Sequence, residues 1–128
     1  MSWNRTPVAQ ALVALFQQAA LAAYVHERPP EILNFPSVVV MRPVQVLYGS
    51  AGLGVDEVEL PIAVVHGMEQ EDALEAIKGQ VKAAIDGDQG LGGVVKACWC
   101  NREQGWRNVT GAGGVQLLYV ELILTVWM

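Results

Sequence analysis

Residues 113–128 constrain this chain more than any other stretch. Read alternately, and setting Gln116 aside, one face carries Leu118, Val120, Leu122, Leu124 and Val126 without a polar interruption. The other face is mixed: Val115, Leu117, Tyr119, Glu121, Ile123, Thr125 and Trp127. This is the period-two signature of a strand with one side on a core. At roughly 3.3 Å per residue it reaches about 40 Å. A strand so long and apolar makes a poor exposed edge, so the reading places it inside a sheet that the earlier segments assemble around.

Those segments follow in order. Thr6 is read as a helix cap and Pro7 as the first helical residue. From 7 to about 23, Val8, Leu12, Leu15, Phe16, Ala19 and Ala23 keep helical spacing. The same stretch imitates a signal peptide, with Arg5 ahead of an apolar run and Ala20-Leu21-Ala22 behind it. Gln10 interrupts that run and Gln17 and Gln18 follow it, which favours an amphipathic helix. Short strands are expected at 24–28, 37–42 and 44–48, broken by Pro29-Pro30 and Pro43. Val58, Leu60, Ile62 and Val64 alternate in a further strand, where Pro61 implies an edge or a bulge. Residues 69–86 form a second helix with Leu74, Ile77, Val81, Ala84 and Ile85 inward. A strand at 93–101 and a connection at 101–114 lead into the final strand. The expected fold is α+β: a mainly antiparallel sheet of about four to six strands with two helices packed on one face, in a single domain.

Candidate chemistry is sparse. The string 49–54, Gly-Ser-Ala-Gly-Leu-Gly, lacks a following lysine and leads into an acidic strand, so it reads as a hairpin loop and not a phosphate cradle. His66 ends an apolar row with no fixed acidic orienter. Glu69, Glu71 and Asp72 sit at the positive end of a helix dipole, which accounts for them. Cys98 and Cys100 would be strained as a bridge, and a four-ligand metal site would need His26, His66 or carboxylates beside them, so two buried thiols are the expected reading. No catalytic residue, cofactor or metal is expected.

Composition then limits the partners. Only 16% of residues are charged and 52% are hydrophobic, against a usual charged share of ~25%. A small domain with so few charges is expected to cover apolar surface with another subunit. Net charge is −5, and the 8 basic residues are scattered along the sequence. That disfavours tight nucleic-acid binding, which needs clustered cations.

Several stretches, in order, carry a family likeness: the charge-poor opening helix; Arg28-Pro29-Pro30 before Pro36-Ser37-Val38-Val39-Val40; Gly52-Leu53-Gly54; Glu59-Leu60-Pro61; Glu71-Asp72-Ala73-Leu74; Leu91-Gly92-Gly93; and Trp106-Arg107-Asn108 before Gly113-Gly114-Val115-Gln116-Leu117-Leu118. Across nearly its whole length the chain resembles the small tail terminator proteins of long-tailed actinobacterial phages. The resemblance implies an α/β fold with a sheet and two helices. It implies a hexameric ring that caps the tail tube and docks the filled head, in the tail or neck of a virion assembled in the host cytoplasm; that an acidic lining lets DNA pass through the ring is a hypothesis from the net charge. It brings no catalytic residues. Its implied partners are further copies of the chain, the major tail tube protein and a head-side connector or stopper.

The loops 49–59 and 101–114 are the expected contact regions, with Gly52, Leu53, Asp56, Glu57, Arg102, Trp106 and Arg107 as candidate interface residues. Trp106 and Arg107 serve either as a partner anchor or as a local stacked pair. Two other readings stand beside this one: a head-completion or stopper protein of the same neck, and a small-molecule-binding α+β domain, which would need a pocket with convergent polar groups.

Overall fold

The computed structural model describes residues 3–31, 34–50 and 54–128. Its elements are α1 (Arg5–Gln18), β1 (Tyr24–His26), β2 (Ser37–Val40), β3 (Gln45–Ser50), β4 (Val55–Gly67), α2 (Glu71–Gly87), β5 (Ala97–Thr110) and β6 (Gln116–Trp127). Short 3-10 turns lie at Leu91–Gly93 and Ala112–Gly114. The strands form one sheet in the order β1-β2-β4-β6-β5, with β3 also paired to β4. Every pairing is antiparallel except β1 with β2. The fold is α+β, as the alternating and helical patterns require.

The final strand lies inside the sheet, between β4 and β5. Val120, Leu122, Leu124 and Val126 share one core with Val58, Leu60, Ile62 and Val64 of β4. Val8, Ala9, Leu12 and Phe16 of α1 and Leu74, Ile77, Val81 and Ile85 of α2 close that core from above. Both helices therefore cover the same face, and α1 is an integral wall of the core.

Three expectations need correction. The cap of α1 is Asn4, whose Oδ1 accepts from the backbone N–H of Thr6 at 3.2 Å; Thr6 is already helical. The helix also stops at Gln18, short of 23, because Ala20 turns the chain through a left-handed conformation (φ 53°). Second, β5 does not end at Asn101 but runs on to Thr110, so the expected connection is mostly strand.

Third, Pro61 lies in the central strand β4, opposite Ile123 of β6. Its carbonyl accepts from the Met41 N–H (3.0 Å), and the Glu59 carbonyl accepts from the Val44 N–H (2.9 Å). Since one residue's N–H and C=O point the same way in an extended strand, the proline's missing donor faces the break between β2 and β3. The sheet tolerates a central proline because its partner is interrupted there.

Candidate interaction surface

Among the described residues, no helix packs on the second face of the sheet. Its apolar part is small: Val39, Ala63, Val65, Leu117 and Tyr119. Long polar and aromatic side chains cover the rest. Ile123 is nonetheless fully buried and Thr125 nearly so. The register explains this. Arg102 of β5 stands opposite Ile123, and Glu59 of β4 stands opposite Thr125, with β6 between them. The Arg102 guanidinium reaches across β6 and donates to both Glu59 carboxylate oxygens, at 3.0 and 3.3 Å. This bidentate strap roofs the strand beneath it. The hydrogen bond from Arg102 holds the Glu59 carboxyl below its ordinary value.

Two bulges in β5 set up this arrangement. Strict alternation would send Arg102 to the helix face, with Cys98 and Cys100. An extra residue between Cys100 and Arg102 shifts the register and turns Arg102 to the open face. A second shift lies between Gln104 and Arg107, at Gly105, whose φ of +73° suits glycine. Beyond it Arg107 faces Tyr119, with its guanidinium 4.2 Å from the ring centre. The Tyr119 hydroxyl donates to Glu121 at 2.6 Å. Burial, then that carboxylate, raises the pKa of Tyr119.

At the far end of β6, the Trp127 Nε1 donates to Glu57 at 2.9 Å. Trp99 meets Trp127 edge-on, with ring centres 5.2 Å apart. Trp106 belongs to the other face. Its Nε1 donates to Glu103 and its ring lies under Lys78 of α2, at 5.1 Å. Lys78 also pairs with Glu103 and Glu75, each at 2.8 Å. Burial pulls the Lys78 pKa down, but the hydrogen bonds to Glu103 and Glu75 outweigh it and leave it raised. Trp106 and Arg107 are thus not stacked on each other; each makes a cation–π contact on its own side of the sheet.

The candidate residues therefore separate. Gly52 and Leu53 lie outside the described residues. Asp56 is buried, and its carboxylate accepts from the Trp3 N–H (2.8 Å) and the Gly49 N–H (3.2 Å). Its backbone exchanges hydrogen bonds with Met128. It ties both chain ends to the β3–β4 hairpin and presents little to a partner. Glu57, Arg102 and Arg107 share the open face, and Trp106, 38% exposed, stands on the helix side. Sequence reasoning missed Glu59, Tyr119, Glu121, Trp99 and Trp127, although the mixed face of the final strand already carried three of them.

The other chemical candidates stay quiet. Burial pushes the thiols of Cys98 and Cys100 up to about 12 and about 11, so both remain protonated near neutrality. His66 accepts from the Gly67 N–H through Nδ1 at 2.8 Å, and burial lowers its pKa. Among the described residues no three His, Cys, Asp or Glu side chains come together as metal ligands. No helix among them is long and apolar enough to cross a membrane.

No protein-family model matches the chain, and no curated protein matches it in sequence. Its fold does have a solved likeness. A chain in the virion of a native gene transfer agent particle superposes with a TM-score of 0.51 at 15% identity. The match covers 91% of this chain and 82% of that one.

Proposed function

We propose that this chain is a structural protein of a phage-like virion and, within it, a tail terminator. Copies would form a ring, hexameric by the family resemblance, that caps the tail tube and offers the filled head its docking surface. The observation that carries the reading is the fold shared over nine-tenths of the chain with a virion component. The ordered stretches that resemble tail terminators point the same way.

The topology suits a collar with two working sides. The β3–β4 hairpin closes beside the end of β6, where Glu57 pairs with Trp127. The β5–β6 hairpin closes at the opposite end, where Gly67 pairs with Leu117. The last pairs of the two hairpins, Ser50 with Val55 and Thr110 with Gln116, thus lie at opposite ends of one sheet. One end would meet the tube and the other the head-side connector.

Deleting the gene in a particle-producing host tests this. A terminator's absence gives overlong tails, seen by negative-stain microscopy. Tails of normal length with leaking heads would identify a stopper instead, and unaltered particles would remove the virion reading altogether.

A further inference from the structure

The basic residues are dispersed in sequence, but the fold draws three of them to one place. Arg5 opens α1, Arg28 follows β1, and Arg42 lies in the break between β2 and β3. Together they line a cleft of about 600 Å³ over Pro61 and Glu121. Arg5 is fixed there, donating to the carbonyls of Glu27, Val40 (2.8 Å) and Met41 (3.3 Å). None of these acceptors is a carboxylate. Burial, then the nearby Arg28, lowers the Arg5 pKa, with the Glu27 carboxylate partly opposing them. Arg28 pairs with the adjacent Glu27 at 2.9 Å. Arg42 is exposed and, among the described residues, makes no ion pair. Glu121 is already engaged by the Tyr119 hydroxyl.

An apolar notch adjoins the cleft and shares Pro29 and Met41 with it. It holds about 140 Å³ between Pro30, Val39, Val65 and Tyr119. A cavity of ~150 Å³ accepts one benzene-sized group, so the notch has room for a single apolar side chain. A phosphate would satisfy the arginines and leave the notch empty. A peptide with an apolar knob beside carboxylates would satisfy both.

The chain carries such a segment from the end of β4 into the first turn of α2. Met68 is 41% exposed, and Glu69, Glu71 and Asp72 follow it, all exposed. Among the described residues these carboxylates enter no ion pair. Methionine's unbranched thioether adapts to irregular apolar gaps. The segment does not reach its own cleft. Met68, Glu69, Glu71 and Asp72 line neither the cleft nor the notch of their own chain, although Val65 of the notch lies three residues before Met68.

We propose that cleft and notch receive this segment from a second copy. Met68 fills the notch, and Glu69, Glu71 and Asp72 meet Arg5, Arg28 and Arg42 of the neighbour. Donor and receiver are different patches, so the contact is head-to-tail, the kind that generates rings when the rotation closes. The inference rests on the ring-forming reading above and adds which surfaces meet.

The test uses the full chain with Arg42→Glu, with Glu71→Arg, and with both. Both positions are exposed, and circular dichroism verifies that each variant folds. Sedimentation over a concentration series reads the assembly. Each single reversal is expected to weaken association by about tenfold or more, and the double reversal to recover most of it. Met68→Asp is expected to weaken it independently.

Assembly indifferent to both reversals, or no recovery in the double variant, overturns the contact. So does a wild-type chain that remains single at every concentration. Binding to tube ends is scored in parallel. Rings that ignore the reversals yet cap tubes would overturn this contact and leave the terminator reading intact. Recovery in the double variant without capping would support the contact and sink the terminator reading.

Discussion

The two faces of the sheet solve the same problem with different materials. On the helix side, Val120, Leu122, Leu124 and Val126 are buried by Phe16, Leu12, Leu74 and Ile85, apolar side chains on rigid helices. On the open side, Ile123 and Thr125 of the same strand are buried beneath Arg102 reaching to Glu59, beside the Trp99–Trp127 pair. The first covering is a second layer of structure. The second is a row of long side chains whose heads stay wet. Burial alone does not distinguish them. Their difference is that a roof of side chains can move aside without unfolding the core beneath it.

The largest expected effect lies on the helix side. Phe16→Ala should cost about 3–5 kcal/mol in urea unfolding, since a fully buried ring leaves a cavity between packed elements. Ile123→Ala is the matched test on the open side. It removes an equally buried side chain, but the flexible roof can settle into the space. Its cost should fall near 2 kcal/mol, the low end for such truncations. Equal losses at the two sites would show the open face to be as rigidly packed as the core.

A smaller effect is set by pH. The folded carboxyls of Glu59 and Glu103 titrate below their ordinary value of 4.5, through hydrogen bonds from Arg102 and from Lys78 respectively. Their stabilisation is complete above that value and is lost as pH falls through the folded values. Arg102→Ala removes the Glu59 share, so the gap in unfolding midpoint between variant and wild type should close on acidification from neutrality to below 4.5. A constant gap would mean that Arg102 acts by packing alone. The smallest effect on stability is expected from Trp106→Ala, within about 1 kcal/mol for a ring partly in solvent. That variant should still fold but should impair tail joining, and normal infectious particles would count against Trp106 as a contact.

Much of the architecture was legible because it is written in local periodicity. The alternation of β6 and the stripe of Leu74, Ile77, Val81 and Ile85 on α2 identify their elements and their inward faces. The outer half of β5 was not legible. Residues 101–114 hold Asn101, Gly105, Gly111, Gly113 and Gly114, and that composition reads as a loop. Pairing with β6, a non-local interaction, makes most of it a strand. The bulges near Asn101 and Gly105 also break the alternation that would have betrayed it. Hence Arg102 was singled out, but its partner Glu59 was not. The arginine cleft was illegible for a similar reason: Arg5, Arg28 and Arg42 come from three segments that only the folded sheet brings together.

The most direct test of the virion reading is the native mass of the purified chain, alone and with the tail-tube protein of its own particle. The account predicts a closed ring of copies that binds tube ends. A protomer that stays single at high concentration and ignores those ends would contradict it.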